Sequence, residues 1–174
     1  MTDPKPVELT MTIKMSVHPR LSIEPGAYSG ATADIFNVDG IAYKVFRVYG
    51  VAQPFERVKA RFESETEAYR RAGGDSWLRR HTAMYYGVSA VDDIFDENGE
   101  SVGRMYALDC CYRMELLTGD ERKFLVAGLR EGNEHLREAE RRFSQTDIDL
   151  RDSSVFDGED AERFKFIDFR LENS

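Results

Sequence analysis

Apolar residues recur along this chain first at every second position, then at every third or fourth, then again in short runs. Val7, Leu9, Met11, Ile13, Met15 and Val17 alternate with polar neighbours, as a half-buried strand requires. His18 and Pro19 end that run, and residues 21–24 can start a second strand leading into the small-residue stretch 25–34, which holds Gly26 and Gly30. Ile35, Phe36 and Val38 follow, then Asp39-Gly40, a strong hairpin signal, and a return strand over 41–49. Ala42, Lys44, Phe46 and Val48 share one face of it, so Lys44 points the way its apolar neighbours point. Such a lysine either snorkels to solvent or reaches an anion.

The period then changes. Phe55, Val58, Phe62, Glu65, Ala68 or Tyr69, and Ala72 are spaced as one helix face, and Gly73-Gly74 ends the helix. Glu65 lies on the apolar stripe. A carboxylate buried there needs a cation to stay charged, and Lys44 is a candidate; an exposed Glu65 is the alternative. Residues 83–91 and 102–111 read as strands around the acidic turn 92–100, and 108–111 are suited to lining a flat apolar slot. The charged stretch 121–142 reads as two short helices or one interrupted helix, weakened by Gly128 and Gly132. Val155-Phe156 and residues 164–167 flank a turn at 157–160, which predicts a hairpin. Asp147 and Asp152 precede its first strand and Asp168 ends its second. Either these aspartates sit in solvated turns, or a cation or proton is shared among them.

Composition narrows the classes. A chain of 174 residues with 41% hydrophobic and 32% charged residues can bury one core, in one domain or two lobes. The net charge of −8, from 24 basic and 32 acidic residues, argues against a nucleic-acid partner. Cys110 and Cys111 are adjacent and form neither a disulfide framework nor a zinc set. No secretory signal and no apolar run of transmembrane length is present, so the expectation is a cytoplasmic chain without a membrane partner.

In order, these pieces are a small-residue loop, an Ala-x-Lys strand, a helix with an inward Glu, two strands, a helix, Asp-x-x-x-x-Asp, a hairpin and Ile-Asp-Phe. That order resembles the protein-kinase-like superfamily over roughly residues 20–170. The resemblance implies an α+β fold in a single domain spanning 1–174: an antiparallel sheet lobe with one helix, about 1–111, and a reduced, mainly helical lobe, about 112–174. It implies ATP and Mg²⁺ as cofactors. By that likeness Gly26 and Gly30 belong to the phosphate-covering loop, Lys44 contacts phosphates and pairs with Glu65, and Leu108, Asp109, Cys110 and Cys111 contact the adenine. Asp147 is then the catalytic aspartate, Asp152 the loop metal ligand and Asp168 the main metal ligand.

The departures are specific. Ala33 stands at the third glycine of the loop, Gln145 and Thr146 replace the histidine and arginine before the catalytic aspartate, Asp152 replaces asparagine, and Arg170 replaces the glycine after Asp-Phe. Four residues follow Arg170, so the expectation from the resemblance is a core without the family's later substrate-binding helices. The expectation is a trimmed kinase core, similar to small bacterial effector kinases acting in a host cytoplasm, compact by rearrangement or covered by homodimerisation. It would transfer the γ-phosphoryl group of ATP to a hydroxyl, first of all a protein Ser/Thr. A pseudokinase acting as a nucleotide-binding or interaction module, a small-molecule kinase, and an unrelated α+β binding module are the alternatives.

Overall fold

The structure, a computed structural model, describes residues 18–23, 28–48, 54–119, 121–123, 134–151, 153–156 and 164–172. In chain order these form β1 (Arg20–Ser22), β2 (Tyr28–Ser29), β3 (Ala33–Val38), β4 (Ile41–Arg47), α1 (Phe55–Gly74), α2 (Ser76–His81), β5 (Tyr85–Ser89), β6 (Asp93–Phe95) and β7 (Tyr106–Glu115). Then come β8 (Glu121–Lys123), α3 (Glu134–Ser144), β9 (Ile148–Asp149), β10 (Ser154–Phe156), β11 (Lys165–Ile167) and β12 (Arg170–Leu171). The fold is α+β. The strand expected over 7–17, Gly26, Asp152 and the turn at 157–160 lie outside the described residues.

The main sheet is antiparallel with order β2-β3-β4-β7-β5. Asp39 and Gly40 turn β3 into β4 with φ of 50° and 82°, and Asn37 Oδ1 accepts from Gly40 N at 3.0 Å. Glycine and aspartate tolerate that left-handed backbone, which is why this dipeptide marks the hairpin. Side chains of β4 then alternate as the pattern predicts. Ala42, Lys44 and Phe46 are buried toward α1, and Val45 is buried on the other face. That second face is covered by β1 and β6, which pair in parallel and contribute Leu21 and Ile94 to a smaller cluster with Phe36 and Tyr106. Cys110 and Cys111 are both buried but belong to the opposite clusters.

α1 buries Val58, Glu65, Ala68, Tyr69 and Ala72, the expected stripe, while Phe55 at its start is exposed. Asp75 closes α1 and caps α2, its Oδ1 accepting from Trp77 N at 2.8 Å and Leu78 N at 2.9 Å. The sequence reading assigned no element between 75 and 82.

Beneath the sheet, the predicted hairpin is present: β10 pairs antiparallel with β11, and Val155 faces Phe166. Two expectations need correction. Residues 121–123 are not helical; they form β8, which pairs with the hairpin through Glu121 opposite Phe156, and the helix described in this stretch is α3, Glu134–Ser144. Their charged side chains resemble a solvated helix face, but the backbone hydrogen bonds go to β10. The strand read as 102–111 starts at Tyr106 and runs through Glu115, so a lobe boundary after 111 would cut β7 in its middle. One apolar core joins the layers, with Phe143 of α3 packed on Phe166 and Phe169, and Phe169 packed on Tyr69 of α1. No helix among the described residues is long and apolar enough to cross a membrane.

Candidate functional site

Lys44 stands at the centre of a buried ionic network. Its register on β4, opposite Tyr112 of β7 and Ile35 of β3, aims it between the sheet and α1. Only 4% of Lys44 and 1% of Glu65 is exposed, and Lys44 Nζ donates to Glu65 Oε2 at 2.7 Å. The same ammonium donates to Asp168 Oδ1 at 2.7 Å. Tyr112 OH donates to Glu65 Oε2 at 3.0 Å, and Arg61 Nε donates to Glu65 Oε1 at 3.1 Å. Burial alone would push the Lys44 ammonium toward neutrality. The adjacent Asp168 and Glu65 carboxylates outweigh it, so its pKa lies above the ordinary lysine value and it stays charged. Burial, reinforced by Glu65 and Asp168, pushes the Tyr69 and Tyr112 phenols well up, so both remain donors.

Asp168 reaches Lys44 because the chain turns sharply after β11. Its φ is 61°, a conformation aspartate tolerates better than most residues. The turn drives Phe169 into the core, with ring centroids 4.3 Å from Tyr69 and 5.3 Å from Phe143. Leu171 N then donates to Ser64 Oγ at 3.0 Å, tying α1 to the segment after Asp168. Glu65 and Asp168 are thus held by the same packing.

The network opens on a cavity of about 690 Å³, within the range of small-molecule sites. Residues 30–33 form one wall. There Gly30 N donates to Ala33 O at 2.9 Å, and a Cβ on Gly30 would meet that oxygen at 3.1 Å, so the turn favours glycine. Arg47 braces the loop from behind: its N donates to Thr32 O at 2.9 Å and its Nη2 to Gly30 O. Ile35 and Ala42 above, with Phe156 and Ile167 below, make an apolar slot.

The slot's edge is Met114, Glu115, Leu116 and Leu117, where β7 leaves the sheet. Glu115 is pinned there by Lys165 Nζ at 2.6 Å and by Met84 N at 3.0 Å. The residues assigned to adenine contact lie elsewhere. Leu108, Asp109, Cys110 and Cys111 are mid-strand and do not line the cavity. Burial holds the Cys111 thiol up at about 12, a core residue. The sequence signal for the slot is the point where strand alternation ends at Leu116-Leu117, five and six residues beyond Cys111.

The aspartates before the hairpin divide by burial. Asp147, with φ 56°, points its carboxylate outward, 77% exposed, to Arg71 Nη1 at 3.3 Å. It does not line the cavity. Asp149, two residues on, is 8% exposed. Its Oδ1 accepts from Arg151 N at 2.9 Å and its Oδ2 from Arg151 Nε at 2.8 Å, and Arg151 lines the cavity. Burial would raise the Asp149 pKa, but the Arg151 donors and the charges of Arg151 and Arg170 outweigh it and hold the carboxyl below its usual range. Asp149, which the sequence reading did not single out, is not a lining residue either and meets the cavity wall through Arg151. Its signal was present, since Asp149 also stands five positions before a residue, Ser154, that opens the first hairpin strand.

Among the described residues no group of three or more His, Cys, Asp or Glu could hold a metal. Of the two predicted metal carboxylates Asp168 is the one described, on the cavity wall beside Lys44. A single wall carboxylate does not make a resident metal site, but it fits Mg²⁺, which is commonly bound by one or two carboxylates together with substrate phosphates. No family model matches this chain, and comparison with curated proteins and with solved structures returned no match.

Proposed function

We propose that the chain is a protein-kinase-like phosphotransferase that uses ATP and Mg²⁺ and phosphorylates a hydroxyl, in the first place a protein Ser or Thr. The observation that carries this reading is Lys44 at the polar end of an apolar slot, bound at once to Glu65 of α1 and to Asp168 after the hairpin. Phosphoryl transfer asks little covalent chemistry of the protein and much positioned charge. The sheet order β2-β3-β4-β7-β5, with α1 packed on the Lys44 face, supports the same reading.

In this reading the base enters between Ala42 and Ile167 against the 114–117 edge, and the phosphates lie under residues 30–33 toward Lys44. Asp168 would hold Mg²⁺, which would supply charge neutralisation to the phosphates. Asp149, rather than the exposed Asp147, takes the proton of the acceptor hydroxyl. The acceptor oxygen bonds to the γ-phosphorus, the bond to the β,γ-bridging oxygen breaks, and ADP leaves. One observation favours the pseudokinase reading: both Asp149 oxygens are occupied by Arg151. Catalysis requires the Arg151 guanidinium to release Asp149, for instance onto a bound phosphate.

The test is thermal shift with ATP and Mg²⁺, then γ-phosphate transfer to itself and to candidate proteins. Wild type should shift and turn over. Asp149→Asn, Asp168→Ala and Lys44→Ala should lose transfer, while Asp147→Asn should keep it within a few-fold. A metal-dependent shift without turnover would support the pseudokinase. No shift at all would refute both. Full turnover by Asp149→Asn with loss in Asp147→Asn would reverse the assignment of the base.

A further inference from the structure

We propose that Arg61 is a terminal-phosphate contact, by which the cavity distinguishes a nucleoside triphosphate from a diphosphate. This rests on the nucleotide reading above and adds a recognition element from α1.

Arg61 lies one turn before Glu65 and lines the same cavity as Lys44 and Asp168. Its Nε is fixed by Glu65 Oε1 at 3.1 Å, and its side chain is 28% exposed. Among the described residues nothing accepts from its Nη groups. The other arginines of this helix differ: Arg70 spends both Nε and Nη2 on Glu67, and Arg71 reaches Glu67 and Asp147. Glu65 does not need a second cation, since Lys44 and Tyr112 already donate to its other oxygen. Lys44 in turn is engaged by Glu65 and Asp168. At the polar end of the cavity Lys44 therefore keeps one N–H, whereas Arg61 keeps both of its Nη groups. A guanidinium anchored at Nε presents its two Nη groups as a planar fork, the geometry that takes two oxygens of one phosphate.

Register along the sheet places this fork far from the base. Ala42 is opposite Met114 at the slot's edge, and Lys44 is opposite Tyr112, further into the sheet. Arg61 is joined to Lys44 through Glu65, so it belongs to the Lys44 end. Glu115 and Glu121 line the cavity too, and Glu115, at the slot's edge and already paired with Lys165, is an acceptor with no donor for a phosphate. A chain of phosphates entering from the slot reaches Lys44 first and Arg61 with its last member.

Calorimetry on the full chain with Mg²⁺ and ATP, ADP or inorganic tripolyphosphate tests this, with thermal unfolding as the check on folding. Arg61→Gln should weaken ATP and tripolyphosphate binding about tenfold or more, the loss of a charged hydrogen-bond pair, while ADP affinity changes less than about twofold. Arg61→Lys keeps the charge without the fork and should fall between. Were Arg61→Gln to unfold, the ATP-selective loss in Arg61→Lys would carry the test. Equal weakening of ATP and ADP would mean that Arg61 acts only by positioning Glu65, and the inference falls; so it does if neither changes. Wild type binding no ATP, ADP or tripolyphosphate would overturn the nucleotide reading itself, and this inference with it.

Discussion

Replacing Lys44 by methionine should destabilise the fold, and replacing Glu65 as well should restore most of the loss. Both side chains are at most 5% exposed, and Lys44 Nζ is 2.7 Å from the Glu65 carboxylate. Removing one partner of a buried pair costs about 3–5 kcal/mol, because the survivor is left charged in a poorly solvated place. Glu65 keeps Arg61 at 3.1 Å and Tyr112 at 3.0 Å, so the low end, about 3 kcal/mol, is expected for Lys44→Met. In a domain of this size that is a fall in Tm of about 6–12 °C. The double variant Lys44→Met with Glu65→Met removes both charges and takes the partner of the buried Tyr112 hydroxyl, a cost of about 1 kcal/mol, while Asp168 and Arg61, which each lose one contact, have side chains 28% exposed and reach water. It should therefore be about 2 kcal/mol more stable than Lys44→Met alone. Urea unfolding followed by circular dichroism, with unchanged m values, gives the cycle. A loss below about 1 kcal/mol for Lys44→Met, or a double variant as unstable as the sum of the singles, would refute the buried-pair argument.

Other consequences follow from the same contacts. Phe169→Ala empties a fully buried site between Tyr69 and Phe143 and should cost about 3–5 kcal/mol by urea unfolding. It should also loosen α1, read as faster amide exchange around Glu65. Asp75→Ala removes the α2 cap and should cost about 1 kcal/mol, whereas Asp75→Asn keeps an acceptor and should cost less. The backbone donor of Leu78, ahead of that of Trp77 and the charge of Arg142, holds the Asp75 carboxyl below its ordinary range. A depressed folded pKa gives stability that is full above the unfolded value, about pH 4, and lost as pH falls through the folded one; Asp149 adds in the same direction. Acid titration of the urea midpoint should show that loss, reduced in Asp75→Asn. At the alkaline end Lys44, Tyr69 and Tyr112 all have raised folded pKa values, so their contribution is full below about pH 10 and lost above it. A urea midpoint unchanged up to pH 11 would contradict this.

Where one local rule dominated, the sequence was legible. The Asp39-Gly40 turn, the alternation through Ala42, Lys44 and Phe46, and the three- and four-residue steps from Val58 to Ala72 each have a single strong backbone solution. Lys44 and Glu65 could be paired from sequence because each was a charge on an apolar face. Failures came where charge pattern and backbone pairing diverge. Glu121, Arg122 and Lys123 carry no apolar period, and only β10 explains their strand. Register was the harder part: a few positions along β7 separate Leu108–Cys111 from the cavity edge, and Asp147 and Asp149, two residues apart, differ in burial. Spacing to the next motif tolerates such slips, but burial does not.

The charges at the site also rank its residues by what they reveal. Lys44 and Arg61 are balanced by Glu65 and Asp168, so this network is neutral without any ligand. It packs α1 against the sheet and the segment after the hairpin, which is reason enough to keep it whether or not phosphate is transferred. Asp149 and Arg151 stand outside that network. Arg151 is 70% exposed, so water solvates its guanidinium once it leaves Asp149, and the Arg151 backbone N–H stays on Asp149 Oδ1. A buried carboxylate held by an arginine of the cavity wall has no comparable packing reason. An active enzyme should show Arg151 shifting from Asp149 when nucleotide binds, seen as a rise in the Asp149 pKa in the complex; a pseudokinase should leave that pair closed.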